Sequence, residues 1–234
     1  MFTKSTAFYD AIYSFKNYEK ETQRLVELIR ERKRAPGVQL LDVACGTGSH
    51  AGFLRQHYEV QGLDLDQNML EIARARFPEI RFHHGNMLDF DLGRTFDVVA
   101  CLFSSIGYLK SSTELERTIE NFARHLSPGG VVIVEPWLRR ENFREGVISG
   151  LFVDRPDLKI ARMARGWLEG AVSRFIFHYM VGTADGIDYF TETHDLTMFS
   201  REQYLAAFEM AGLSTAWDEP GLMGRGLVIG TKPR

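Results

Sequence analysis

From Tyr18 to Pro136, short apolar runs alternate with amphipathic stretches. Val38–Val43, Val60–Asp64, Ile80–His83, Asp97–Phe103 and Gly130–Glu135 are of strand length and largely apolar, the pattern of strands buried on both faces of a parallel sheet. Between them Glu19–Arg34, Ser49–His57, Asn68–Phe77 and Thr113–His125 read as helices, the last expected to end at Pro128-Gly129-Gly130. Strands alternating with helices predict a doubly wound α/β fold. Beyond Trp137 the period shortens to two. Leu158–Leu168, Ala171–Gly182 and Ile187–Phe199 alternate as strands do, and Glu169-Gly170 and Asp185-Gly186 stand where hairpin turns belong. An inserted antiparallel β-sheet follows from this pattern. Helix Arg201–Ala211 and strands Leu213–Asp218 and Gly226–Thr231 then return the chain to the core. The expected organisation is an N-terminal cap and cofactor-binding core over residues 1–137, a substrate cover over 138–199, and the last helix and closing hairpin over 200–234.

Chemistry enters at the strand ends. Leu40-Leu41-Asp42-Val43-Ala44-Cys45-Gly46-Thr47-Gly48 runs from an apolar strand into a glycine loop. The loop lets the backbone turn tightly and start a helix whose N-terminal amides face a ligand. Asp64 ends the next strand, where an acid can accept both hydroxyl protons of a ribose. Gly46-x-Gly48-x-x-Ala51 also satisfies the dinucleotide pattern, and the neighbouring residues decide between the two. The charge of Asp42 would repel a pyrophosphate and suits the ammonium of an amino-acid cofactor, which favours S-adenosylmethionine. The third strand ends in Gly85-Asn86-Met87, a polar amide and an apolar flank for the edge and face of an adenine.

The series Asp42-Val-Ala-Cys-Gly-Thr-Gly, Gly62-Leu-Asp-Leu-Asp-Gln-Asn-Met-Leu, Gly85-Asn-Met and Leu126-Ser-Pro-Gly-Gly-Val-Val-Ile-Val-Glu-Pro-Trp137 resembles the class I S-adenosylmethionine-dependent methyltransferases. That resemblance implies a Rossmann-like seven-stranded sheet, with the inserted antiparallel sheet covering the active site. It implies cofactor contacts from Asp42, Ala44, Gly46, Gly48, Asp64, Leu65, Asn86, Met87, Leu102 and Phe103. Phe8-Tyr9-Asp10-Ala11-Ile12-Tyr13, Phe103-Ser104-Ser105-Ile106-Gly107-Tyr108-Leu109, Glu135-Pro136-Trp137, Arg162, Arg174, His178, the His194–Phe199 strand and Gly224-Arg-Gly-Leu-Val-Ile-Gly resemble more narrowly the deoxysugar N-methyltransferases. Members of that family dimethylate nucleotide-linked 3-amino sugars in macrolide antibiotic biosynthesis. The likeness implies Tyr13 and His125 at the acceptor amine, and Tyr9, Ser104, Tyr108, Glu135, Trp137, Arg162, Arg174, His178 and Arg225 around the nucleotide-sugar. Asn86 departs from the family, which usually carries Asp there.

Composition bounds the alternatives. A net charge of -3 argues against general nucleic-acid binding, and 44% apolar residues can fill a sizeable core. No apolar run is long enough to span a bilayer, the N-terminus carries no apolar leader, and two cysteines suggest no disulfide framework. A cytoplasmic protein, possible as a homodimer, is the expectation. Phe103-Ser104-Ser105-Ile106 is not the loop that holds an adenine or amide nitrogen, no Pro-Cys nucleophile is present, and no His and carboxylate cluster has metal-ligand spacing. A small-molecule amine is the expected acceptor; O-methylation of a small metabolite, and a non-catalytic cofactor-binding module, stay open at this level.

Overall fold

The computed structural model describes residues 4–234, which fall into two compact units. One comprises the described residues up to Lys16 together with Arg140–Met198; the other comprises Asn17–Arg139 and Phe199–Arg234. The N-terminal segment therefore groups with the inserted strands, not with the cofactor core.

In the first unit, a 3-10 turn at Lys4–Phe8 leads into the one-turn helix α1 (Tyr9–Ile12). In the second, α2 (Tyr18–Arg32), β1 (Gln39–Val43), α3 (Ser49–Leu54), β2 (Glu59–Asp64), α4 (Gln67–Arg76), β3 (Arg81–His84), β4 (Phe96–Cys101), α5 (Ser112–Arg124) and β5 (Leu126–Val134) alternate as the pattern predicts. Side chains on both faces of β1 and β4 are buried, which explains why their sequences read as continuous apolar runs. Helix starts are capped by side chains: Asn17 accepts from Lys20 N, Asp66 from Asn68 N, and Ser111 from Glu114 N. The largest boundary difference is at the start of β5. α5 ends at Arg124, and Pro128-Gly129-Gly130 lies inside β5, where the pairing slips from Phe96↔Leu126 to Val98↔Val131. Gly129 takes φ 77 there, and its carbonyl accepts from Arg34 N and Ala35 N. The glycines are a bulge that admits another segment's backbone.

The chain then forms β6 (Ile148–Asp154), β7 (Lys159–Glu169), β8 (Val172–Thr183) and β9 (Gly186–Thr197), an antiparallel sheet in chain order. β6 escaped the sequence reading because Ile148-Ser-Gly-Leu-Phe-Val-Asp has no strict alternation. One face packs on α1: Ala11 and Ile12 bury against Val153, Ile160, Tyr179 and Val181. The segment before α1 is fastened there by Glu192, which accepts from Ser5 N at 3.0 Å and Ser5 Oγ at 2.6 Å.

Back in the second unit, α6 (Arg201–Met210), β10 (Ser214–Asp218) and β11 (Leu227–Thr231) complete a seven-stranded sheet of order β10-β11-β5-β4-β1-β2-β3, with β11 antiparallel to its neighbours. The strand order reverses between β1 and β4. Ligands of doubly wound sheets bind at the carboxyl ends of the strands beside such a switch. Among the described residues no helix is long and apolar enough to cross a membrane.

Candidate active site

The carboxyl ends of β1 and β4 are the strained part of the chain. Ala44 (φ 57), Phe103 (φ 51) and Ser104 (φ 61) are the non-glycine residues with left-handed backbone among the described residues, and all three follow these two adjacent strands. Such conformations cost on the order of 1–3 kcal/mol each and persist where surrounding structure imposes them. Gly46 (φ 55) and Gly48 (φ 76) continue the turn after Ala44, and a side chain at Gly46 would meet nothing, so the loop is open on that side.

Asp64 ties this loop to the end of β2. Its Oδ2 accepts from Gly46 N at 2.7 Å and its Oδ1 from Asp66 N at 2.8 Å. A carboxylate offers about four acceptor positions, so capacity remains for two hydroxyl donors. Burial raises the pKa of Asp64, opposed by the amides of Asp66 and Gly46. Asp42 lies deeper. It is 2% exposed, and its Oδ2 is buried without a hydrogen bond. Burial pushes its pKa up to about 7, against the lowering influence of His50. A buried, unsatisfied carboxylate beside a glycine loop fits a ligand that brings a positive charge. The residues thus suit S-adenosylmethionine, which carries an ammonium, a sulfonium and a ribose.

His50 and Glu21 belong to this arrangement and were not singled out from sequence. His50 Nε2 lies 2.8 Å from Glu21 Oε2, both side chains are buried, and Tyr18 meets the imidazole edge-on. A histidine two residues after Gly48 was the available signal. Arg76 also escaped notice: its Nη1 donates to Thr47 O, Thr47 Oγ1 and Ser49 Oγ, bracing the loop from α4.

Asn86 Oδ1 accepts from Leu88 N at 3.0 Å, which fixes the amide's orientation. Met87 follows, packed against the core, its carbonyl accepting from Asn121 Nδ2. Leu65, at the end of β2, is exposed, and Leu102, after β4, is buried.

Beyond Leu102 the chain makes the Phe103-Ser104 corner. Glu135, fully buried, accepts from Phe103 N through Oε2 at 2.7 Å; Ser104 Oγ donates to Pro136 O at 2.7 Å and accepts from Arg225 Nη1 at 2.8 Å. The Arg225 guanidinium stacks 4.7 Å from the Trp137 ring, and Tyr108 closes the 3-10 turn that follows. Glu135, expected to touch substrate, therefore acts from the interior as the residue that holds the corner. Replacing it with alanine leaves a buried amide unsatisfied, at about 1–3 kcal/mol. We expect Glu135→Ala to lower kcat at least tenfold while circular dichroism stays native; an unchanged kcat would remove the corner from the active site.

In the other unit, Tyr9, Tyr13 and Arg162 come together. The tyrosine rings are 4.7 Å apart, Arg162 Nη1 donates to Tyr13 Oη at 3.3 Å, and its guanidinium lies between Tyr13 and Phe177.

Three expected site residues stand elsewhere. His125 is the C-cap of α5, at the amino end of β5, the edge of the sheet opposite the glycine loop. It is 2% exposed, its Nδ1 is 2.9 Å from Asn121 O and its Nε2 accepts from Leu92 N. Both ring nitrogens serve the fold, and His125 is not a catalytic residue. Arg174 and His178 lie on the face of the antiparallel sheet opposite Arg162, because β8 alternates and Arg162 pairs with Tyr179. Arg174 is held by Asp195 through Nε and Nη2 and by Glu169 through Nη1; His178 Nδ1 is 2.7 Å from Tyr189 Oη. Neither shares a pocket with Arg162. Cys45 and Cys101 are packing residues whose thiols burial pushes well above the ordinary range, and among the described residues no cluster of three His, Cys, Asp or Glu is placed to hold a metal.

A doubly wound seven-stranded sheet with its reversed strand, a glycine loop after β1 and an acid ending β2 define a class I S-adenosylmethionine-dependent methyltransferase. The methyltransferase-domain family matches residues 40–130. Across 226 residues the chain is 43% identical to dTDP-3-amino-3,6-dideoxy-alpha-D-glucopyranose N,N-dimethyltransferase of Streptomyces fradiae, covering 95% of this chain and 88% of that one. It superimposes on DesVI of Streptomyces venezuelae with a TM-score of 0.92 at 39% identity over 100% of both chains. An amino pentose methyltransferase of Micromonospora echinaspora involved in calicheamicin biosynthesis, solved with S-adenosylmethionine bound, gives 0.87 at 39% identity over 99% of this chain and 98% of that one. The chain belongs to the sugar N-methyltransferase family, and it is an S-adenosylmethionine-dependent methyltransferase.

Proposed function

We propose that this enzyme methylates the amine of a nucleoside-diphosphate-linked amino sugar, one or two methyl groups being added to the same nitrogen in the biosynthesis of an antibiotic deoxysugar. The observation that carries the reading is the extent of the likeness: it spans 95% of the chain and includes the antiparallel unit, where the cofactor motifs are absent. A nucleotide-sugar needs anion donors and a polar group for the amine. Arg162 and Arg225 are the guanidinium residues assigned to the diphosphate, and Tyr9, Tyr13, Ser104, Tyr108 and Trp137 are assigned to the rest of the acceptor.

S-adenosylmethionine, when bound, supplies an electrophilic methyl group on a sulfonium. The protein's part is orientation. Asp64 accepts ribose hydroxyls, Asn86 meets the adenine edge, Met87 and Leu65 flank it, and Asp42 complements the positive charge. The Phe103-Ser104 corner, backed by Leu102, and the Trp137 wall keep water from the reacting nitrogen. Holding two reactants in line supplies much of the rate of such a transfer. An alkyl amine with a pKa near 8 is partly neutral at cellular pH, so no strong base is required. Tyr13 is the residue assigned to take a hydrogen bond from the amine. With both cysteines free of disulfides, a reducing cytoplasm is the compartment this reading assigns.

The test is mass spectrometry of thymidine-diphosphate amino sugars incubated with protein and S-adenosylmethionine. Gains of one or two methyl groups on the amine are expected, with the free amino sugar a poor acceptor. Equal turnover of the free sugar would remove the nucleotide from the assignment, and methylation of a hydroxyl in its place would make the enzyme an O-methyltransferase.

A further inference from the structure

The methionine end of S-adenosylmethionine is a zwitterion. Asp42 suits its ammonium but repels the carboxylate on the same carbon, so that carboxylate needs a donor of its own. Arg76 and His50 are the basic residues described at the glycine loop. Arg76 is exposed, and its Nη1 is already committed to Thr47 O, Thr47 Oγ1 and Ser49 Oγ. His50 is placed differently. It follows Gly48 by two residues, is 7% exposed, and lies close enough to Asp42 to lower that residue's pKa.

Glu21 determines what His50 can do. Its Oε2 stands 2.8 Å from Nε2, both side chains are buried, and Tyr18, three residues earlier on α2, meets the imidazole edge-on at 4.9 Å between ring centroids. A histidine held at one nitrogen and packed at its edge keeps one orientation. The other nitrogen is left over: Nδ1 bonds to no described residue and is not sealed from solvent. Stability alone does not account for such a pair, because taking two charges out of water costs about as much as their attraction returns. The geometry points to His50 Nδ1 as the donor that receives the carboxylate of bound S-adenosylmethionine, with Glu21 as the residue that positions the ring. With Nε2 given to Glu21, the protonated ring has a second donor at Nδ1. Charges then alternate in sign from Glu21 through His50, the cofactor carboxylate and the cofactor ammonium to Asp42. Each end of the zwitterion meets its opposite.

The inference concerns the cofactor and holds whichever amine is methylated. Calorimetric titration at pH 7 tests it with two ligands: S-adenosylmethionine, and its decarboxylated form, which keeps the ammonium and lacks the carboxylate. His50→Gln sets an amide N–H in the place of Nε2, so Glu21 keeps a partner while the Nδ1 donor and the charge are lost. This variant is expected to bind S-adenosylmethionine about ten- to a hundredfold more weakly and the decarboxylated form as the parent does. Glu21→Gln keeps a hydrogen bond to the ring without the charge, and a smaller loss, again confined to S-adenosylmethionine, is expected. If His50→Gln lacks native circular dichroism, Glu21→Gln decides. A pair that serves only the fold would weaken both ligands alike, and an equal loss on the two would overturn the inference. So would a folded His50→Gln that binds S-adenosylmethionine as tightly as the parent, or a parent that binds the two ligands equally, since no residue would then read the carboxylate.

Discussion

Asp64→Ala is expected to raise the dissociation constant for S-adenosylmethionine by two to four orders of magnitude. Two ribose hydroxyls donating to a carboxylate are charge-assisted hydrogen bonds worth about 1.5–3 kcal/mol each, and about 1.4 kcal/mol is a factor of ten in affinity. The same carboxylate also holds Gly46 N and Asp66 N, so its loss removes one of the ties between the glycine loop and the end of β2, leaving that of Cys45 N to Leu63 O. Asp64→Asn separates the two contributions. It keeps one acceptor oxygen and removes the charge, and an intermediate loss is expected. Calorimetric titration of folded variants measures both, and an unaltered affinity in Asp64→Ala would take the residue out of the cofactor site.

The place of Asp64 was legible from sequence because it depends on strand order and on nothing distant. An apolar run that ends in an acid, next to one that ends in glycines, fixes both groups at one edge of a parallel sheet. The same logic put Asp42, Gly46, Gly48 and the loop at Asn86 at that edge. It did not recover the orientation of the Asn86 amide, which depends on the local turn to Leu88 N.

His125 shows where resemblance outran topology. A helix between two parallel strands runs back across the sheet, so its C-terminus lies at the amino edge, away from the ligand. As the last residue of a predicted helix, His125 was already on the wrong edge. Arg174 and His178 illustrate the same failure in a strand. They share a parity, and only the register Arg162↔Tyr179 shows that Arg162 has the other. The fastening of Ser5 to Glu192 links residues 187 positions apart, beyond the reach of any local pattern.

Asp42 gives the pH dependence. Its pKa stands at about 7 in the folded protein against 3.8 for an unperturbed carboxyl. Between those values the folded state binds more protons than the unfolded one, so stability falls as pH rises from about 4 to about 7 and is level above. At about 1.4 kcal/mol per pH unit the difference bounds this loss at about 4 kcal/mol. A cation bound beside Asp42 favours the ionised carboxylate and lowers its pKa. Binding of S-adenosylmethionine should therefore expel a proton near pH 6, and affinity should climb by up to tenfold per pH unit until about pH 7. Titrations in buffers of different ionisation enthalpy count that proton directly. Asp42→Asn removes the buried charge; it should melt no lower than the parent at pH 8, yet bind S-adenosylmethionine more weakly there and with no slope between pH 5 and 7. A variant that keeps the slope would show that another group releases the proton. His50 and Glu21, the buried pair beside the loop, would be the next residues to test.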